Sequence, residues 1–329
     1  MNQIQRRFVG RIAGATALAA LLPSATSAQT GWPSKPIRFI VGYPAGGLAD
    51  ALARVYAEFI GQTLSQTVVV DNKPGAAGMI AGAEVAKAAA DGYTFWFTLA
   101  GTINQNRVLF KKMPYDPDRD FVLVSALDPG PLPLAVNATS SIRSLRDLVE
   151  LGRKQRVTFG NYAPGSLPHM MAQQLSARYG MDVDAVPYKG EAAMWVDLAS
   201  GQITTALGSA LGVVPHLQSG KLRAIGVNTR SRSPLLPDVP TFEEQGFSDP
   251  VFVLQGWIGM LAPTNTPRDI VQRMSDLVQE AARSPRVREL NKTFGMGAAP
   301  WSAAEFAKMH LETKPRWIEL ARELNLTLD

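Results

Sequence analysis

Gly42-Tyr43-Pro44-Ala45-Gly46-Gly47-Leu48-Ala49-Asp50 is the stretch that decides the fold, because it joins a buried strand to an amphipathic helix. Residues 37–41 before it form a short apolar run, and apolar residues recur at helical spacing over 48–59 after it. The proline and glycines allow a sharp turn that brings backbone N–H groups close to a ligand. A helix N-terminus adds unpaired N–H donors and a partial positive charge, so this junction is a candidate anion site.

The composition indicates a globular protein with one large or two medium domains. The chain has 329 residues, of which 46% are hydrophobic and 19% are charged, so it can bury a substantial core. The absence of cysteine excludes disulfides, thiol chemistry and a lipoprotein anchor.

Residues 1–28 have the organisation of a secretory signal peptide. A basic start is followed by an apolar, alanine-rich run and by small residues from Ser24 to Ala28. Arg6-Arg7 leaves twin-arginine export open beside ordinary export. Removing the three arginines of this segment lowers the formal net charge from +5 to +2, which argues against nucleic-acid binding. The run is too short to cross a bilayer, so we expect a periplasmic protein without a membrane anchor.

After the signal, strand and helix patterns alternate, which predicts α/β domains with mostly parallel sheets. Asp128-Pro129-Gly130-Pro131-Leu132-Pro133 interrupts the pattern and suits a crossover between domains. Residues 252–261 are predicted to form a strand that returns to the first domain. We therefore expect residues 29–128 and 253–329 in one lobe and 129–252 in a second, with a ligand cleft between them.

Small-residue turns end four of the predicted strands, at Tyr43–Gly47, Thr98–Thr102, Asn161–Ser166 and Gly208–Ala210. In a two-lobed α/β protein, all four would face the cleft. A carboxylate can be held there by N–H and O–H donors without an arginine, because each charge-assisted hydrogen bond contributes about 1.5–3 kcal/mol. Asp50, in the first turn of its helix, is interpreted as a partner for the exposed N–H groups rather than as a catalytic acid.

Catalytic and cofactor motifs are weak in this sequence. Ser166 and His169 share one helix face and could be nucleophile and base, but no acid nearby orients the imidazole. The non-catalytic interpretation makes Ser166 a helix cap and His169 a polar neighbour of a ligand or of the backbone. The three histidines match no metal-ligand spacing. The sequence contains neither the Gly-x-Gly-x-x-Gly motif of dinucleotide-binding proteins nor the Walker motif of phosphate-binding loops. We therefore expect no enzyme activity, no cofactor and no metal.

An ordered set of motifs resembles the Bug-type (TctC-like) periplasmic solute-binding receptors of tripartite tricarboxylate transporters. The resemblance extends from Trp32-Pro33 to Leu328-Asp329. The matching stretches include Tyr43-Pro44-Ala45-Gly46-Gly47, Asn72-Lys73-Pro74-Gly75-Ala76-Ala77-Gly78, Asp91-Gly92-Tyr93-Thr94, Gly165-Ser166 with His169, Val186-Pro187-Tyr188-Lys189-Gly190, Gly220-Lys221-Leu222-Arg223-Ala224, Leu236-Pro237-Asp238-Val239-Pro240-Thr241, and Ala262-Pro263 with Thr266-Pro267.

The resemblance implies an α/β, type II periplasmic-binding-protein fold, in which two α/β lobes joined by two crossover strands close on a solute. It also implies capture of a small carboxylate in the inter-lobe cleft and delivery to integral-membrane permease subunits by a receptor that we expect to be a monomer. The ligand-binding residues that it implies are Tyr43, Ala45, Gly46, Gly47, Thr98, Ala100, Thr102, Ser166, His169 and Ser209. Signalling to a membrane kinase is an alternative role for the same two lobes.

Two departures from the family bear on the ligand. Gly208 stands where many members carry an acid, and losing a carboxylate removes both a partner for a ligand amine and a repulsion against a second ligand acid. The sequence therefore predicts a mono- or dicarboxylate without an amino group, a class that includes aromatic acids. Tyr162-Ala163-Pro164 occupies a loop that is usually richer in glycine and serine, so the far wall of the pocket should be stiffer.

Overall fold

A computed structural model of the protein describes residues 31–297, 299–323, 325 and 327–328. The predicted signal peptide lies outside this range. Among the residues described, no helix has the length and apolar character needed to cross a membrane.

Ten strands and twelve helices follow one another along the described chain. The strands are β1 (Ile37–Val41), β2 (Val68–Asn72), β3 (Thr94–Leu99), β4 (Phe121–Leu127), β5 (Pro133–Asn137), β6 (Val157–Asn161), β7 (Val183–Pro187), β8 (Thr205–Leu207), β9 (Leu222–Val227) and β10 (Ile258–Pro263). The helices are α1 (Leu48–Leu64), α2 (Met79–Ala86), α3 (Ala100–Asn104), α4 (Asn106–Leu109), α5 (Leu145–Gly152), α6 (Leu167–Tyr179), α7 (Glu191–Ala199), α8 (Ala210–Gln218), α9 (Pro250–Val253), α10 (Arg268–Ala282), α11 (Pro285–Phe294) and α12 (Ala303–Glu323).

The strands form two five-stranded sheets, each of which defines a lobe. The first lobe has the order β2-β1-β3-β10-β4, and the second has the order β7-β6-β8-β5-β9. Both sheets are mixed, with four strands that run in one direction and one that opposes them, which agrees with the prediction of mostly parallel sheets. The antiparallel pairs are those of β10 with β3 and β4, and of β5 with β8 and β9. β5 and β10 are the first strands after each passage between sheets, and each runs against its neighbours.

The crossover into the second lobe agrees with the prediction, whereas the start of the return strand and one later helix differ from it. β4 ends at Leu127 and β5 begins at Pro133, which agrees with the predicted proline-rich crossover. The return strand begins at Ile258 rather than at Phe252, because Pro250 opens the short helix α9. Helix α11 was not predicted, although Ser284 caps it and Pro285 begins it, which is a usual start signal.

The hydrophobic core continues from one lobe into the other. One cluster of buried side chains includes Trp96 of the first sheet and Phe159 of the second. It also includes Trp257, which precedes β10 and packs edge-on against Phe306 of α12 with ring centroids 4.8 Å apart. This shared packing fixes the strand ends that face the space between the sheets.

We predict that Leu261→Ala lowers the free energy of unfolding by about 2–5 kcal/mol. Leu261 is fully buried on β10, an interior strand of the first sheet, so its loss leaves a cavity in the core cluster that packs on that sheet. Leu311→Ala is the matched control, because Leu311 on α12 is 69% exposed and should change stability little. Urea denaturation of both variants measures the difference, and equal losses would contradict the assigned core.

Candidate ligand-binding site

A cavity of about 150 Å³ lies between the two lobes. The starts of α1, α3, α6 and α7, together with the residue before α8, contribute to its wall, and Trp257 and Trp317 add apolar rings. Several helix N-termini therefore meet around one small volume. Such a wall offers backbone N–H donors and partial positive charge to an anion.

Eight of the ten predicted site residues line this cavity. They are Tyr43, Ala45, Gly46, Gly47, Ala100, Thr102, Ser166 and Ser209. Thr98 does not line it, because its side chain is fully buried within β3, opposite Gly259 of β10. His169 also lies outside the lining, and its ring instead accepts a hydrogen bond at Nδ1 from the Gly165 N–H at 2.9 Å.

Asp50 holds the first turn of the site in shape, as the sequence indicated. Its carboxylate accepts hydrogen bonds from the Gly46 N–H and from Asn72 Nδ2, both at 2.9 Å, and it pairs with Arg54. Gly46 can take part because its φ of +85° suits glycine. Burial alone would raise the pKa of the Asp50 carboxyl, but the bonds from Arg54, Gly46 and Asn72 outweigh burial and hold that pKa below its usual value.

The N-terminus of α1 is left open toward the cavity by this arrangement. Gly47 is the N-cap residue, and no described side chain caps it. Gly47, Leu48 and Ala49 line the cavity, and the first amides of a helix have no partner within the helix. These amides are consequently free to bind an anion.

Two of the predicted hydroxyl donors are engaged inside the protein. The Tyr43 hydroxyl lies 2.7 Å from Thr102 Oγ1, and Thr102 Oγ1 donates to the Ala77 carbonyl at 3.1 Å. Since threonine has a single hydroxyl proton, Tyr43 must donate to Thr102. Burial raises the pKa of Tyr43 to about 12, so the phenol stays protonated at neutral pH.

Ser209 is also engaged, by a residue that the sequence analysis missed. Glu191 lines the cavity, and its carboxyl accepts the Ser209 N–H at 2.9 Å and binds the Ser209 hydroxyl at 2.5 Å. The inference that Gly208 leaves this wall without an acid is therefore wrong. An acid in the first turn of a helix resembles an ordinary partner of the helix dipole, so nothing local in the sequence connected Glu191 with Ser209.

Ser166 is a predicted site residue that lines the cavity and keeps its hydroxyl donor free. Its Oγ is buried beside the cavity and has no hydrogen-bond partner among the described residues. Ser166 is also the N-cap residue of α6, yet its side chain does not cap the helix. A buried hydroxyl of this kind normally finds a partner, so a bound molecule or water is expected there.

Ser166 and His169 do not form a nucleophile–base pair in this structure. The Nδ1 atom of His169 is occupied by the Gly165 N–H, and no bond joins the imidazole to Ser166 Oγ. Burial lowers the pKa of His169, so the ring is neutral at pH 7. Within the described part of the chain, no group of three or more histidine, aspartate or glutamate side chains could hold a metal ion.

Lys73 and Lys189 each lie next to a turn of the chain and have different surroundings. Lys189 is exposed and lines the cavity, whereas Lys73 is outside the lining and lies within 3.8 Å of carboxylate oxygens of Asp71 and Glu84. The cavity wall also includes Tyr162, Ala163 and Pro164, the loop that the sequence predicts to be stiffer than in other family members.

Comparison with known proteins places this geometry in context. A family model described as "Tripartite tricarboxylate transporter family receptor" matches residues 52–326. The protein BugT of Bordetella pertussis is 33% identical over 308 residues, which cover 92% of this chain and 93% of BugT.

Two solved structures are similar over nearly the whole chain. The periplasmic binding protein BugD has a TM-score of 0.82 at 28% identity, covering 90% of this chain and 100% of BugD. A Rhodopseudomonas palustris protein with adipate has a TM-score of 0.84 at 30% identity, covering 90% of this chain and 100% of that chain. With the two mixed sheets, these similarities confirm the predicted periplasmic-binding-protein fold of two α/β lobes and the resemblance to Bug-type receptors.

We predict that Asp50→Ala lowers the free energy of unfolding at pH 7 by about 1–3 kcal/mol. The substitution leaves the Gly46 N–H and the Asn72 amide without their acceptor. Asp238→Ala, at an exposed position, is the matched control and should have little effect. Urea denaturation compares the two variants, and a loss at Asp50 no larger than that at Asp238 would contradict the role of this carboxylate.

The stabilisation by Asp50 should depend on pH in one direction. Because the pKa of Asp50 is lower in the folded than in the unfolded protein, its contribution is complete above the usual aspartate range and is lost as the pH falls through the folded pKa. The stability difference between wild type and Asp50→Ala should therefore shrink in acid. Denaturation curves from pH 7 to pH 3 test this, and a difference that grows in acid would refute it.

Proposed function

The chain belongs to the tripartite tricarboxylate transporter receptor family, and we propose that it captures a small carboxylate in the cavity between its lobes and delivers it to a tripartite membrane transporter. The observation that carries this proposal is the cavity wall itself. The uncapped N-terminus of α1 and the unpartnered Ser166 hydroxyl at the start of α6 both border it. These are donors in need of an acceptor, and a carboxylate supplies two acceptor oxygens.

The energetics of such a site are sufficient for a receptor. Hydrogen bonds to a charged group contribute about 1.5–3 kcal/mol each. A micromolar complex needs about −8 kcal/mol in total. A few bonds from backbone amides and Ser166, with apolar contacts to Trp257 and Trp317, supply this without an arginine. The adipate found with the Rhodopseudomonas palustris relative is a solute of the same chemical class.

The same side chains support a role as a receptor rather than as an enzyme. A hydrolase built on Ser166 would need His169 to accept its proton, whereas the imidazole Nδ1 is bonded to the Gly165 N–H. We therefore propose that the solute leaves the cavity unchanged. The Bug-type relatives are periplasmic, and residues 1–28 have the pattern of a signal peptide, so we place the mature protein in the periplasm as a monomer.

The ligand contacts that we propose come from both lobes. The first lobe contributes the turn 45–47 with Tyr43, and also Ala100 and Thr102. The Thr102 hydroxyl already donates to the Ala77 carbonyl, so Thr102 offers the ligand an acceptor or a contact surface rather than a donor. The second lobe contributes Ser166. Thr98 and His169 lie outside the cavity lining and are proposed to support its wall. We also propose that the lobe boundaries lie at residues 128/129 and 252/253.

Ser166→Ala should weaken carboxylate binding about ten- to hundredfold, because it removes one charge-assisted hydrogen bond. Isothermal titration of the purified protein with adipate and a panel of related organic acids measures the change in Kd. Ser176→Ala, near the other end of α6, is the matched control and should bind as the wild type does.

Three outcomes separate the possibilities. Binding by the wild type that falls only in Ser166→Ala supports the proposal, whereas wild-type protein that binds no member of the panel would refute it. Turnover of a bound ester by the wild type, abolished in Ser166→Ala, would instead show a hydrolase.

A further inference from the structure

The carboxyl group of Glu191 occupies the position where the N-terminus of α8 would otherwise bind an anion. Ser209 is the N-cap residue of α8, and its Oγ accepts the Gly212 N–H at 3.2 Å. The two protons that Ser209 could offer to a ligand, on its N and its Oγ, both point to Glu191. An internal acid therefore fills this anion site, and a ligand carboxylate cannot use it.

Two glycines make room for this arrangement. A Cβ at Gly208 would lie 2.6 Å from a ring carbon of Trp195 and 3.3 Å from the Glu191 carboxyl carbon. A Cβ at Gly212 would lie 2.6 Å from Glu191 Oε2. A side chain at either position would displace Glu191 or Trp195. The acid on this wall therefore comes from α7, and Gly208 is the residue that allows it.

Glu191 takes part in no ion pair among the described residues, although the exposed Lys189 lines the same cavity. Among the residues described, no lysine or arginine lies within ion-pair distance of its carboxyl, and the nearby Tyr162 contributes only a phenol. Burial raises the pKa of Glu191 above its usual value, although the bonds from Ser209 lower it. The ionised carboxylate thus lacks a countercharge that a bound molecule could supply.

The cavity wall consequently presents polar groups of two kinds. Free donors lie at the α1 turn and at Ser166, while an acid with spare acceptor lone pairs lies at Glu191. A ligand with a carboxylate at one end and a hydrogen-bond donor at the other satisfies both. A ligand with two carboxylates would place the second one against Glu191, and like charges brought together disfavour binding.

We propose that Glu191 determines the specificity of this cavity, and that the solute is a monocarboxylate whose far end carries an ammonium or another hydrogen-bond-donating group. This rests on the proposed function as a carboxylate receptor and narrows the substrate class within it. It also reverses the sequence-based expectation of a ligand without an amino group, because that expectation assumed a wall without an acid.

The test uses pairs of probes that differ only at the far end. Succinate is compared with 3-aminopropionate, glutarate with 4-aminobutyrate, and terephthalate with 4-(aminomethyl)benzoate, by isothermal titration at pH 7. Wild-type protein should bind the amino member of the best pair about tenfold or more tightly than the dicarboxylate. Glu191→Gln keeps the size of the side chain and can donate an N–H, so it should reverse that preference.

The control is Glu150→Gln, which removes the same charge from an exposed position of the second lobe and should leave every ratio unchanged. Wild-type protein that prefers the dicarboxylates, or a Glu191→Gln variant whose ratios match the wild type, would overturn the role of Glu191 while carboxylate binding stands. Should Glu191→Gln fail to fold, the wild-type ratios alone decide. Protein that binds neither member of any pair would refute the proposed function as well.

Discussion

The requirement that helix N-termini find acceptors for their first N–H groups organises this protein. Helices α1, α6 and α8 all begin at the cavity, but the protein supplies such acceptors to them to different extents. α8 is satisfied from within, by Ser209 and Glu191. α1 has no side-chain cap, and the hydroxyl that should cap α6 has no partner in the described chain. In the proposed function, the unsatisfied donors bind the carboxylate of the solute, and Glu191 determines how the solute is oriented.

The scaffold keeps these donors in place through the two strands that cross between lobes. β10 lies between β3 and β4, and β5 lies between β8 and β9, so each crossover strand is central to its sheet. Trp257, just before β10, both lines the cavity and packs into the continuous core. Trp257 therefore connects the cavity wall by direct packing to the segment that links the lobes.

Local signals in the sequence were enough for most of the elements but not for the hydrogen-bond partners in the site. β1 and the start of α1 follow from an apolar run, a proline–glycine turn and helical spacing, and the role of Asp50 follows from its place in the first turn. The antiparallel direction of β10 depends on how the chain returns between lobes, which no local pattern records. The contact of Glu191 with Ser209 spans eighteen residues and depends on the absence of a side chain at Gly208, so only the folded structure shows it.

A crystal structure of the protein with a bound monocarboxylate tests the central claim most directly. The account predicts the ligand carboxylate within hydrogen-bond distance of the amides at the start of α1 and of Ser166 Oγ, with the Glu191–Ser209 bonds intact. A carboxylate bound instead at Ser209, with Glu191 displaced, or an anion site outside the cavity, would contradict it.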